Sequence, residues 1–97
     1  MELFNLKGKV AVVTGGYGHL GHEMVHALLT YNSLVIVAGK SHDKFLNVFS
    51  TLQNDNLKFS LIDITDSESI KNSFSSIQKE YGKIDILINN AYTSRCT

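Results

Sequence analysis

Two clusters in this chain combine residue types and spacings suited to chemistry. The first is Thr14-Gly15-Gly16-Tyr17-Gly18-His19-Leu20-Gly21, directly after the apolar run Val10-Ala11-Val12-Val13. A β-branched run, a glycine-rich turn and a helix pattern, in that order, suit a dinucleotide pyrophosphate. Gly15 permits the tight turn out of the strand. Gly18 lets the backbone come close to the phosphates, having no Cβ in the way, and Gly21 lets the helix sit against the strand. The helix start at His19 and Leu20 then offers free N–H groups and a positive dipole end to the anion. His19 reads either as a tolerated loop residue or as a donor to a phosphate.

The second cluster is His22-Glu23-Met24-Val25-His26, which matches the zinc-hydrolase pattern His-Glu-x-x-His. Two histidines four apart share a helix face. A catalytic zinc needs a third ligand, yet no His-x-x-Gly-x-x-His extension follows and the next glutamate is Glu68. The same helix is already assigned to the pyrophosphate. No metal site is therefore expected, and both histidines should face solvent or an interface.

These residues need a frame, and the apolar periodicity supplies one. A first strand is expected at about residues 9–13. A helix follows at 19–30, with Leu20, Met24, Ala27 and Leu28 as its buried stripe. Residues 34–38 are short and β-branched, as a buried strand requires. A second helix is expected at 43–52, carrying Phe45, Leu46, Val48 and Phe49. A third strand spans 57–62 and ends at Asp63. Thr65-Asp66-Ser67-Glu68 opens a third helix that carries Ile70, Phe74 and Ile77 and stops near Gly82. A fourth strand at 84–88 precedes Asn89-Asn90-Ala91. Phe45/Phe49 and Phe74/Ile77 are expected in the core, and His42 on the surface.

Strands that alternate with helices run parallel, with right-handed crossovers. The expected fold is therefore α/β: a Rossmann-like, doubly wound parallel sheet, incomplete, with about four strands and three helices. Strand order reverses between the first and fourth strands, and ligands bind at that switch point. The glycine loop and Asn89-Asn90-Ala91 both end there.

With 97 residues, the chain suits one small domain. Its 43% hydrophobic and 19% charged content is ordinary for a globular protein, and its formal net charge is zero. No basic field recruits nucleic acid or an anionic membrane. Cys96, the single cysteine, can form neither an internal disulfide nor a cysteine-based zinc site. No apolar stretch reaches transmembrane length. A cytoplasmic protein is expected.

Taken together, Gly8-Lys9-Val10-Ala11-Val12-Val13-Thr14-Gly15, Asp63 after the third strand, and Gly82-Lys83-Ile84-Asp85-Ile86-Leu87-Ile88-Asn89-Asn90-Ala91 resemble the amino-terminal part of a short-chain dehydrogenase/reductase. The resemblance covers nearly the whole chain. It implies that Thr14 fixes the glycine turn and that Gly15, Gly18 and Gly21 form the pyrophosphate loop. It implies that Asp63 accepts from the adenine amino group and that Ile64 lines that pocket through its backbone. Asn89 would tie the fourth strand to its neighbours, and Asn90 and Ala91 would lie beside the cofactor ribose. The whole protein would act on a small-molecule substrate, with homo-oligomerisation left open.

Two features depart from the compact, reductase branch of that family. The glycines here are spaced Thr-Gly-x-x-Gly-x-x-Gly, as in the extended branch of sugar-nucleotide epimerases and dehydratases. Asn-Asn-Ala belongs to the compact branch, but Tyr92 stands where a glycine usually follows it. The residue ending strand two separates NAD from NADP, because a carboxylate there would bind the ribose 2′-hydroxyl and repel a 2′-phosphate. Ala38-Gly39-Lys40 offers no acid, and Lys40 is placed to pair with a phosphate. NADP is expected over NAD.

The family's hydride transfer uses a serine and a tyrosine with a lysine four residues later. Tyr17, Tyr31, Tyr81 and Tyr92 are followed at that distance by Gly21, Val35, Asp85 and Cys96. No catalytic residue is therefore expected in this span, which reads as a fragment. A non-catalytic NADP-binding module would show the same absence. The apolar fourth strand would then be an exposed edge, and the isolated chain poorly soluble or partly molten.

Overall fold

The computed structural model describes residues 5–15, 18–52 and 54–89. Its elements alternate as β1 (Val10–Thr14), α1 (His19–Thr30), β2 (Leu34–Gly39), α2 (His42–Val48), β3 (Leu57–Leu61), α3 (Ser67–Tyr81) and β4 (Ile86–Asn89). The four strands form one parallel sheet in the order β3-β2-β1-β4. This is the doubly wound α/β arrangement, with the order reversing between β1 and β4.

Each face of the sheet has its own core. On one, Val13, Val35 and Val37 meet Val25 and Leu29 of α1 and Phe49 after α2. On the other, Val10, Val12, Ile36 and Ala38 meet Ile62 and, from α3, Ile77, with Ile70 and Phe74 packed alongside. All five residues of β1 are buried, which explains why its sequence is continuously apolar rather than alternating. Each fully buried valine or isoleucine contributes about 1.5–3 kcal/mol.

The helices differ at their starts. Ser41 caps α2 by accepting from the Lys44 amide, and Asp66 caps α3 by accepting from the Glu68 amide at 3.0 Å. Asp43 and Glu68 add acid to the first turns of α2 and α3. Gly82 ends α3 at φ 86°, a left-handed conformation that suits glycine. In α1 the N-cap is Gly18, without a side-chain cap and without an acid in the first turn.

Several expectations need correction. The buried stripe of α1 is Gly21, Val25 and Leu29, one position on from that expected. Leu20 is 57% exposed and Ala27 is exposed, because seating Gly21 toward the sheet rotates both away. Helix α2 ends at Val48 rather than residue 52. Phe49 leaves helical geometry at φ −110°, ψ 20°, and the Ser50 hydroxyl donates to the Asn47 carbonyl, closing the helix end. Strand β1 runs one residue later than expected, β2 one longer and β3 one shorter. Strand β4 starts at Ile86 rather than residue 84, because Asp85 spends its side chain on the Val10 amide. His42 is exposed, as expected, with its ring 4.9 Å from Phe59 and 6.0 Å from Phe45.

Candidate functional site

The carboxyl ends of β1 and β4 meet at the switch point. Thr14, last in β1, is buried, and its hydroxyl donates to the Asn89 side-chain oxygen at 2.9 Å. Asn89, last in β4, is Thr14's partner in the strand register. The Thr14 hydroxyl, which also reaches the Ile88 carbonyl at 3.4 Å, therefore joins the two segments on either side of the crevice. At the far end of the same strand pair, Asp85 accepts from the Val10 amide at 2.9 Å while its own amide donates to the Val10 carbonyl at 2.8 Å. Lys83 lies 3.2 Å from the same carboxylate. The Val10 amide, helped by Lys83 and Lys9, holds Asp85 below the usual carboxylate range.

The glycine turn separates two reasons for a glycine. Gly15 sits at φ 72°, so its backbone alone disfavours any other residue. Gly18 has φ −73° and ψ 167°, open to every residue. Among the described residues, a Cβ built on Gly18 would meet only the Gly15 carbonyl oxygen, at an ordinary 3.8 Å. None of the described residues requires glycine there. The absent side chain leaves open space beside the uncapped start of α1, where backbone N–H groups have no intrahelical partner. An approaching anion has a use for both features. His19 and Leu20 follow on the exposed surface, and Gly21 is buried.

Asp63 is half-buried just past β3. Its Oδ1 accepts from the Thr65 hydroxyl at 2.6 Å and the Thr65 amide at 3.0 Å, while its own amide donates to Ser69 Oγ at 2.9 Å. The Thr65 hydrogen bonds, with Lys40 adding its charge, hold the Asp63 carboxyl below its ordinary range. Thr65 and Ser69 were missed in the sequence reading, where Thr65 stood only as a helix-entry residue and Ser69 had no part. The spacing Asp-x-Thr is the signal for such a turn.

Ile64 packs against the α3-side core. With Thr14, Ile62, Ile70, Phe74, Leu87 and Asn89 it lines a cavity of about 250 Å³ at the carboxyl end of the sheet. A larger hollow of about 690 Å³ lies at the opposite end, among Lys7, Lys9, Lys83 and Tyr81, away from the glycine turn. Asn90 and Ala91 lie outside the described residues. Among the described residues no three histidine, cysteine or acidic side chains converge as metal ligands, and no helix is long and apolar enough to cross a membrane.

The family model described as short chain dehydrogenase matches residues 9–96. The chain belongs to the short-chain dehydrogenase family. Among curated family members, it is 32% identical to gluconate 5-dehydrogenase of Gluconobacter oxydans, over 97% of this chain and 38% of that protein. It is 29% identical to short-chain dehydrogenase reductase 3a of Arabidopsis thaliana, over 94% of this chain and 35% of that one. It therefore spans little more than a third of the length of the curated relatives it matches. Among solved structures, the NADP-bound N-domain of a bacterial malonyl-CoA reductase superposes with a TM-score of 0.82 at 31% identity, over 93% of this chain and 18% of that one. The crystal structure of gox2181 superposes with a TM-score of 0.80 at 29% identity, over 88% and 34%.

Proposed function

We propose that this chain is the dinucleotide-binding part of an NADP-dependent oxidoreductase that moves a hydride between the nicotinamide and a small carbonyl or hydroxyl compound. The observation that carries this reading is Gly18, a glycine that neither its backbone angles nor the described residues around it demand, beside the uncapped start of α1. In this reading the N–H groups of His19 and Leu20 hold the pyrophosphate, with Gly18 leaving room for its approach and the His19 ring beside it. Lys40 meets the 2′-phosphate. Asp63, one oxygen fixed by Thr65, offers its second oxygen to the adenine amino group. Asn89, Asn90 and Ala91 line the ribose side. When bound, the nicotinamide supplies or accepts the hydride.

The NADP-bound malonyl-CoA reductase domain supports the cofactor class. The match to the short chain dehydrogenase model, with Asn89-Asn90-Ala91, favours the reductase reading. The glycine spacing is the one observation that favours a sugar-nucleotide epimerase or dehydratase, and conversion of a nucleotide sugar would select it. No Tyr-x-x-x-Lys occurs in this span, so hydride transfer is proposed for the whole protein. The lone cysteine suits a reducing, cytoplasmic setting.

Equilibrium binding of NADPH and NADH, followed by nicotinamide fluorescence, tests the reading. NADPH should bind more tightly. Lys40→Glu should cost about tenfold or more in NADPH affinity while leaving NADH within a few-fold, since a carboxylate repels the 2′-phosphate. Equal effects on both nucleotides would remove Lys40 from the site, and no binding of either would sink the proposal.

A further inference from the structure

The His-Glu-x-x-His segment lacks the partners of a hydrolase, yet its two histidines are not idle in the fold. Their rings lie side by side, with centroids 4.5 Å apart and planes inclined at 55°. The His22 ring is half-buried and stacks on Phe49 at 5.1 Å and 16°. Phe49, just past α2, is itself buried and lies 5.3 Å from Phe45. One imidazole is therefore braced by a fixed aromatic wall, while its neighbour one turn on, His26, is exposed. No described hydrogen bond or ion pair ties up either ring.

We propose that His22 and His26 form a two-imidazole site on the flank of α1 for a divalent transition metal of tetragonal preference, nickel(II) or copper(II). Imidazole suits these ions. Side chains four apart on a helix chelate one ion, as they do in the zinc hydrolases. The ring separation lets both imidazoles reach one ion: with metal–nitrogen bonds of about 2.0–2.1 Å, two imidazoles in adjacent positions on one ion stand about 4.5 Å apart between centroids, the separation these rings have. Phe49 removes rotamer freedom from His22 before the ion arrives, so less order is lost on binding. Water fills the remaining positions, consistent with the absence of a third convergent ligand among the described residues. The site is independent of the dinucleotide reading, because it uses side chains on the flank of α1 rather than the backbone donors at its start.

The test is a nickel(II) titration of the untagged protein carrying Cys96→Ser, so that no thiol competes, followed through the histidine ring resonances. Substoichiometric nickel should broaden the His22 and His26 signals before those of His19 and His42. His26→Asn, at an exposed position, should weaken binding at least tenfold, while His42→Asn leaves it within twofold. One bound ion should also raise the melting temperature of the parent by a few degrees and not that of His26→Asn. Broadening that begins at His19 or His42, uniform broadening of all four, or parental affinity in a folded His26→Asn would each overturn the site.

Discussion

Replacing Gly18 with alanine separates what the fold needs from what an anion needs. The φ of −73° and ψ of 167° accept alanine, and the new Cβ would stand 3.8 Å from the Gly15 carbonyl oxygen, in ordinary contact. Two small effects on stability then oppose each other. Alanine stiffens the unfolded chain, which favours the fold by about 0.4–1 kcal/mol. It is a poorer N-cap than glycine, which disfavours α1 by roughly 0.5–1 kcal/mol. The net change should lie within about 0.5 kcal/mol of zero. Binding should respond differently. The added methyl occupies the space through which a phosphate reaches the first amides of α1, and one charge-assisted hydrogen bond is worth about 1.5–3 kcal/mol. NADPH affinity should therefore fall roughly tenfold to a hundredfold. Gly15→Ala is the contrasting variant. At φ 72° it forces alanine into left-handed geometry, at a stability loss of about 1–2 kcal/mol. Urea denaturation followed by circular dichroism, with NADPH fluorescence titration on the same samples, reads both quantities. A Gly18→Ala protein as destabilised as Gly15→Ala, or one that binds NADPH like the parent, would refute the reasoning.

Three further outcomes are expected. Leu29→Ala, at a residue 7% exposed, should lower stability by about 2–4 kcal/mol, while Leu20→Ala should stay within about 0.5 kcal/mol; equal losses in urea melts would restore the original α1 stripe. Acid should weaken the fold: Asp63 and Asp85 bind protons less readily folded than unfolded, so the stability they add is present above about pH 4 and drains away as pH falls further. Urea midpoints between pH 7 and pH 3 should show that fall, less steeply in Asp85→Asn, and a midpoint that rises on acidification would contradict the sign. Leu87, 52% exposed on β4, should drive self-association of the 97-residue chain. Light scattering should improve in Leu87→Lys, and a monodisperse parent with a sharp melt would show the edge to be harmless.

The architecture was legible because strands and helices alternate cleanly in apolar period, and α1 begins and ends where its pattern says. What periodicity cannot supply is rotation. Leu20, Met24, Ala27 and Leu28 make a valid helical stripe, yet the packed one runs through Gly21, a residue with no hydrophobic signature. Element ends were blurred wherever a side chain replaced a backbone partner, as Asp85 does for Val10 and Ser50 for the end of α2. In the candidate site, the glycine turn and Asp63 stood out by type and place. The bond from Thr14 to Asn89 spans 75 positions and the ring contact from His22 to Phe49 joins α1 to the residue just past α2, so no local pattern could announce either. Thr65 was visible all along, but its role as a brace for Asp63 depends on a turn whose geometry only the fold displays.

The placement of β1 between β2 and β4 sets an order of assembly. Its register with β2 joins Val10 to Leu34, a short crossover, whereas its register with β4 joins Ala11 to Ile86. Loop closure grows dearer with chain separation, and distant pairings form late. The β1-β2-β3 unit therefore organises first, and one flank of its most completely buried strand waits open for nearly the whole chain. Thr14 has no Asn89 to meet until then, so the two walls of the crevice are the last parts to come together. Pulse-labelled hydrogen exchange during refolding should find amides shared by β1 and β2 protected before those of β4. Conditions that slow the closing step should favour aggregation through β1, the very strand that carries the glycine turn.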